Sequence, residues 1–212
     1  MLELGVKSLM AYLIGALLGS LILGRLRGVD IRRMGSGNAG ATNALRTQGK
    51  LFGLAVLLID AGKGVLAVLY LPGAPWPAAD PAVSREWLTL ACALAVILGH
   101  VYPVWFSFRG GKGVATMIGV IGALEPRLLL PVCIAWVTVL LLTGYVGLAS
   151  MLAGAALVAF VYATEPGNQP LLTFCVVVEL FVIFTHRANI ARMASGQEHR
   201  VRKLWLFRSR TA

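Results

Sequence analysis

The 212-residue sequence predicts an all-α, polytopic integral membrane protein folded as a single domain, with about seven transmembrane helices; three observations carry that expectation. Hydrophobic residues make up 58% of the chain and charged residues 13%, and the mean hydropathy is +0.80, outside the range of water-soluble domains. Apolar stretches of roughly 16 to 20 residues recur, the length that helices rising ~1.5 Å per residue need to cross a ~30 Å hydrocarbon layer. The basic residues gather in alternate connections between those stretches.

The first apolar run, residues 8–24, is long, and no small-x-small cleavage site follows it before Arg25, so it is expected to remain a helix and not to be a removed signal peptide. Within it, Gly15 and Gly19 have the GxxxG spacing of a helix-packing face. Residues 51–71 and 87–106 form the second and third spans. Residues 113–124 and 128–143 are shorter, separated by Glu125, Pro126 and Arg127, and are read as two further helices, with a re-entrant pair between five full spans as the alternative. Residues 149–163 and 171–185 complete the set. Cys92, Cys133 and Cys175 each fall inside an apolar run, where cysteine packs as a small hydrophobe.

Either count is odd, so the termini lie on opposite sides. The segment 25–50 holds six basic residues and one acidic, the tail from His186 holds seven and one, and Arg109 and Lys112 stand in the third connection. The segments around Glu3 and Lys7, 80–86, 125–127 and Glu165 have no basic excess. The positive-inside bias therefore places the N-terminus outside and the C-terminus in the cytoplasm. The net charge of +10 is a signal of topology and of anionic lipid headgroups. It is not a nucleic-acid signal, because that reading needs a basic face on a soluble fold.

Three polar segments interrupt this apolar chain. The first reads Met34-Gly35-Ser36-Gly37-Asn38-Ala39-Gly40-Ala41-Thr42-Asn43-Ala44-Leu45-Arg46, in which glycines allow close backbone approach and Ser, Thr and Asn supply donors for an oxyanion. The second runs from Gly99 to Thr116 and contains Arg109-Gly110-Gly111-Lys112-Gly113. Its consecutive glycines lead into an apolar helix, so they can present backbone amides as an anion nest at the positive helix end, with Lys112 as a clamp. It is no Walker A loop, because Phe106 holds that motif's first glycine position and Gly113 follows Lys112 in place of Ser or Thr. His100 admits either a structural hydrogen bond or a place in the site. The third segment follows the last span as His186-Arg187-Ala188-Asn189-Ile190-Ala191-Arg192 and then Ser195-Gly196-Gln197-Glu198. If helix continues through it, His186, Asn189 and Ile190 share a face while Arg187 meets water.

Inside the apolar runs, Asp60 and Lys63 lie three residues apart on one helix face. Charges at the bilayer centre cost ~2.5 to 3.5 kcal/mol each on insertion scales, so the pair either neutralises itself or lets Lys63 face an anion-holding cavity. A short echo, Gly62-Lys63-Gly64-Val65 against Gly111-Lys112-Gly113-Val114, repeats the chemistry without matching flanks. Glu179, alone in the last span, calls for a partner on another helix. Three scattered His and no acidic cluster make no usual metal-ligand set, and nothing calls for a cofactor.

All three segments fall on the predicted cytoplasmic side. The implied ligand has anionic oxygens and an apolar body, and acyl transfer fits: the loops hold phosphate, donors meet a developing oxyanion, and an acyl chain lies among helices. An organic-phosphate transporter would place its cations near the midplane in related repeats.

The segments GSGNAGATNALR, GHVYPVWFSFRGGKGVAT and HRANIAR…GQE, in this order over nearly the whole chain, resemble the three motifs of the bacterial acyl-phosphate:glycerol-3-phosphate acyltransferases. The resemblance implies a multi-helix inner-membrane enzyme that makes 1-acyl-glycerol 3-phosphate, the first step of phospholipid synthesis. The donor would be acyl phosphate and not acyl-CoA, supplied by a soluble acyl-phosphate-forming partner enzyme. By position it implies that Ser36 and Arg46 are the essential pair of the first motif, with Gly37, Asn38, Gly40, Thr42 and Asn43 binding substrate beside them. Lys112 with Gly110, Gly111 and Gly113 corresponds to the phosphate loop, His186 and Asn189 to the functional pair of the third motif, and Glu198 to its structural acid. Ser150 corresponds to a position near the acyl phosphate. The chain departs from the family pattern at Arg109, where Lys is usual, and at Gly144 and Gly147, where Arg and Ser are common.

Other acyltransferases use a His-x-x-x-x-Asp dyad, whereas here the fifth residues after His100, His186 and His199 are Trp105, Ala191 and Leu204. The expected reaction is therefore direct attack of the 1-hydroxyl on the donor, with His186 or a substrate phosphate taking the proton. A covalent Ser36 intermediate is the rival course.

Overall fold

The computed structural model describes residues 1–77, 83–202 and 204–207. The described residues form α-helices and three short 3-10 turns, with no strand among them. The chain divides into two compact units, residues 1–125 and 126–212.

In the first unit, α1 (Leu2–Gly15) and α2 (Gly19–Leu26) precede the short α3 (Ala41–Gln48), followed by α4 (Lys50–Leu69), α5 (Arg85–Val101) and α6 (Val114–Leu124). The expected single helix over 8–24 is corrected to two helices bent by 44°. No Pro stands at the break; what sustains it lies on α4, whose Asp60 and Lys63 bind the freed backbone groups, as described below. α1 packs along α5 and α4 along α6. Each pairing is a backbone-to-backbone approach through reciprocal glycines. A Cβ at Gly15 would overlap the Val96 carbonyl and one at Gly99 the Tyr12 carbonyl, while Gly64 and Gly119 stand in the same relation to Thr116 and Ala61. Without a hydrophobic driving force between helices in lipid, such contacts supply the packing.

One end of this unit is tied by charge. Lys7 Nζ meets Glu3 Oε1 at 2.7 Å and donates to the carbonyls of Pro72 and Ala74 at 3.0 and 2.8 Å, and Arg85 reaches Glu3 at 3.3 Å. α5 starts beside this network and carries the chain about 25 Å to the polar loops. Exposed Leu51, Leu54, Leu58, Leu66 and Leu69 form an apolar stripe on α4. That is the surface expected of a helix facing acyl chains, not water.

The second unit holds α7 (Leu129–Thr143), α8 (Val146–Thr164), α9 (Gln169–Thr185) and α10 (Arg187–Ala194). α7 packs on α8 and α8 on α9. Asn168 Oδ1 accepts from the Leu171 amide at 3.0 Å and caps α9, with Pro170 in the first turn where no amide is needed. The expected continuation of the last span is corrected to a bend of 51° between α9 and α10. Glu179 of α9 sits over Gly154 of α8, and both of its carboxyl oxygens are buried without a hydrogen bond. The interhelical polar partner expected for it is absent among the described residues.

Four helices or helix-plus-turn segments are long and apolar enough to cross a membrane, and six if each bent pair is one span. α6, with 11 residues, is shorter.

Candidate active site

One buried side chain organises the first polar loop. After α2 the backbone reverses through the 3-10 turn Ile31–Arg33 and through Gly35 and Gly37, both left-handed (φ +55° and +73°). Asn43 of α3 is 1% exposed. Its Nδ2 donates to the carbonyls of Ile31, Met34 and Asn38 at 3.1, 2.9 and 3.0 Å, and its Oδ1 accepts from the Ser36 amide at 2.9 Å. A single carboxamide therefore satisfies backbone groups that helix or sheet would satisfy elsewhere. Gly35 is required twice over, by its φ and because a Cβ there would overlap Asn43 Oδ1. Asn43 was expected to bind substrate; the structure instead engages both polar atoms of its side chain with the loop.

Around this anchor the other predicted residues are more open. Ser36, Gly37 and Arg46 are exposed, and Asn38, Gly40 and Thr42 are half-buried. Thr42 and Arg46 stand one turn apart on the same face of α3, Thr42 next to the N-terminus that begins after Gly40 and Arg46 in the last turn. Ser20, fully buried in α2, donates to the Ala39 carbonyl at 2.5 Å and pins the loop from beneath.

Arg32 joins this loop to the second. Its Nε and Nη2 donate to Asp30 at 3.0 and 2.9 Å, and its Nη1 donates to the Phe106 carbonyl at 3.0 Å. The Arg32 hydrogen bonds hold the Asp30 carboxyl below its usual range, and Asp30 in turn raises the Arg32 guanidinium. Neither residue was expected in the site from the sequence. The available signal was Asp30 two residues before Arg32, because Asp accepts from the amide two positions on, here at 3.0 Å.

In the second loop, Phe106 is buried with Leu18, Leu21 and Ala39, and Arg25 stacks over its ring at 4.7 Å. Ser107 and Phe108 then take left-handed conformations (φ 56° and 58°), an unusual state for consecutive non-glycine residues that costs ~1 to 2 kcal/mol each. The expected anion nest is corrected here. The Gly110 and Gly111 amides donate to the Val101 and His100 carbonyls at 3.1 Å each, which closes the C-terminus of α5. The glycines serve close packing, since a Cβ at Gly111 would overlap the His100 ring. Lys112 is half-buried, and left-handed Gly113 (φ +86°) opens α6 directly after it.

In the second unit, His186 and Asn189 are 3% and 6% exposed while Arg187 is exposed. Ile190 is 41% exposed, so it does not share their buried face. Ile190 follows Asn189 directly on α10, so its side chain points about 100° away around that helix. His186 Nδ1 lies 2.8 Å from the Val182 carbonyl. A carbonyl only accepts, so the neutral ring carries its proton on Nδ1 and its lone pair on Nε2. Asn189 Nδ2 donates to Glu198 Oε1 at 2.7 Å, and Arg192 Nε holds Glu198 Oε2 at 2.7 Å, so Glu198 is the brace of this segment. Gly147 leaves the space that Asn189 fills, since a Cβ there would stand 2.9 Å from Nδ2. Ser150 is buried, donates to the Val146 carbonyl at 3.0 Å and accepts from Trp136 Nε1 at 3.3 Å.

A family model described as Glycerol-3-phosphate acyltransferase matches residues 6–196. The chain belongs to the glycerol-3-phosphate acyltransferase family. Relatives of that name from Aquifex aeolicus (strain VF5) and Sinorhizobium medicae (strain WSM419) are 39% and 42% identical, over 90% and 94% of this chain and 95% of each relative. The crystal structure of PlsY (YgiH), an integral membrane glycerol 3-phosphate acyltransferase, in its glycerol 3-phosphate form matches with a TM-score of 0.80 at 35% identity, covering 93% of this chain and 94% of that one. The lysophosphatidic acid form matches with a TM-score of 0.79 at 34% identity. This glycerol-3-phosphate acyltransferase is thus a multi-pass membrane enzyme that acylates glycerol 3-phosphate to lysophosphatidic acid in phospholipid synthesis.

The acyltransferase uses Lys63 differently from the cavity reading. Lys63 Nζ lies 2.7 and 3.1 Å from the Gly15 and Leu17 carbonyls and 3.1 Å from Asp60 Oδ1, which accounts for all three of its hydrogens. Among the described residues no three His, Cys, Asp or Glu side chains gather to hold a metal ion.

Proposed function

We propose that the acyl donor is an acyl phosphate and that the 1-hydroxyl of sn-glycerol 3-phosphate attacks its carbonyl carbon directly. The new C–O ester bond forms as the bond from the carbonyl carbon to the phosphate oxygen breaks, and inorganic phosphate leaves. The hydroxyl proton passes to His186 Nε2 or to a substrate phosphate oxygen. Arg46, Lys112 and Asn189 hold phosphate oxygens, and Ser36 hydrogen-bonds the donor, with Gly37, Asn38, Gly40, Thr42 and Gly113 shaping the approach.

The observation that carries this reading is the Asn43-braced loop, which holds the Ser36 amide and orders the segment that bears Ser36 and Arg46, tied through Arg32 to the Lys112 segment. The Nδ1 proton of His186 supports its use as a base, because it leaves the lone pair on Nε2. The two units act as one acyltransferase domain, since the family match runs through both. Counting each bent pair as one span and α6 as a span gives seven, with the N-terminus outside and the site at the cytoplasmic face of the inner membrane. There a soluble acyl-phosphate-forming enzyme can hand over its product.

The test is purified protein with labelled glycerol 3-phosphate and either palmitoyl phosphate or palmitoyl-CoA. Lysophosphatidic acid from the phosphate donor alone, lost in Arg46→Ala, is expected. Equal use of the CoA donor would refute the donor assignment, and a labelled acyl-enzyme trapped in the absence of acceptor would refute direct attack.

A further inference from the structure

The break between α1 and α2 leaves carbonyls at the end of one helix and amides at the start of the next inside an apolar layer, where unpaired backbone is expensive. α4 supplies both missing partners from one face. Lys63 Nζ binds the Gly15 and Leu17 carbonyls, and Asp60 Oδ1 accepts from the Gly19 amide at 3.1 Å. The ammonium thus sits at the C-terminus of α1 and the carboxylate at the N-terminus of α2, each complementing the helix end it touches.

Two paths lead from Asp60 to the polar loops. Through Gly19 it holds the start of α2, whose next residue, Ser20, donates to the Ala39 carbonyl. On the other side, His100 Nδ1 lies 3.6 Å from Asp60 Oδ1, and the far edge of that buried ring supports Gly111, the residue before Lys112. Asp60 Oδ2 and His100 Nδ1 are both buried without a hydrogen bond.

We propose that Asp60, Lys63 and His100 are positioning residues that set the Ser36–Arg46 loop and the Lys112 loop relative to one another for glycerol 3-phosphate. This rests on the reading that those two loops hold the substrates. None of the three touches substrate; they act through Ala39 and Gly111.

The experiment compares three variants in detergent, reading kcat, KM for glycerol 3-phosphate and the melting temperature. His100→Phe fills the ring volume without Nδ1 and is expected to raise KM about tenfold, the factor carried by ~1.4 kcal/mol, with melting unchanged. The neutral double variant Asp60→Asn with Lys63→Gln keeps an acceptor for Gly19 and a donor for the α1 carbonyls. It is expected to fold and to lose about tenfold in kcat/KM. The exchange Asp60→Lys with Lys63→Asp keeps net charge but opposes both helix ends, and is expected to lose more than the neutral pair. Wild-type kcat and KM in His100→Phe and in the neutral pair would reduce the trio to a structural ion pair and overturn the proposal. Arg46→Ala and Lys112→Ala, run alongside, separate the two ideas: if they stay active, the loops are not the substrate loops, and the underlying reading fails first.

Discussion

Replacing Asn43 with Ala should disable the enzyme through the loop that its side chain holds. Its four side-chain hydrogen bonds share two N–H hydrogens and one acceptor oxygen. We therefore count roughly three full bonds at ~1 kcal/mol each, or ~3 kcal/mol of loop order. If substrate has to restore that order, the amount comes out of transition-state binding, and at ~1.36 kcal/mol per decade kcat/KM should fall about 100-fold. The assay is the initial rate of lysophosphatidic acid formation, with the melting temperature in detergent as the check on folding. Asn43→Asp sharpens the test, because it keeps an acceptor for the Ser36 amide but turns an oxygen toward the Ile31, Met34 and Asn38 carbonyls. It should be at least as damaged as Asn43→Ala. An Asn43→Asp enzyme near wild-type rate, or an Asn43→Ala enzyme slowed less than about threefold, would refute the bracing role.

Three further outcomes follow from the geometry. Gly119→Ala drives a methyl into the Ala61 carbonyl and should lower stability by ~1 to 3 kcal/mol, seen as an earlier melt; an unchanged melt would contradict the close α4–α6 approach. Glu198→Ala releases Asn189 and Arg192 and should cost ~2 kcal/mol with a large loss of rate, whereas Glu198→Gln, which keeps an acceptor for Asn189, should retain more activity. The Asp30 carboxyl is held below its ordinary range, so its stabilising contribution is present above the unfolded pKa of ~3.9 and fades as pH falls through the lowered folded value. Asp30→Asn should therefore melt earlier than wild type near pH 6, and the difference should close at acid pH; a difference that widens on acidification would contradict the assignment.

How much was legible differs from residue to residue. Hydropathy located α4, α5, α7, α8 and α9, because span length and the absence of water in the bilayer leave the backbone little choice, but it ran α1 and α2 together. The three motifs marked the candidate site segments, because glycines, small donors and cations stand together there in an otherwise apolar chain. The role of Asn43 was not legible, since an Asn on a short helix can turn toward substrate or toward its own loop, and only the return of Ile31, Met34 and Asn38 to its amide decides which. The Gly110-Gly111 amides present the same difficulty, because whether an amide points to a ligand or back to a helix end depends on where the chain goes next.

The amino-acid sequence by itself determined that this chain is helical and built for lipid, that most of its polar chemistry gathers in three segments, and that Asp60 and Lys63 need partners. Those are consequences of local composition and spacing. Only the tertiary structure decided what the partners are. Residues 16–18 are apolar and include no Pro, and the glycines that flank them, Gly15 and Gly19, permit a bend without requiring one. The helix bends there because a carboxylate and an ammonium more than 40 positions away supply the backbone hydrogen bonds that the bend removes, and pairing at that separation is a property of the packed chain.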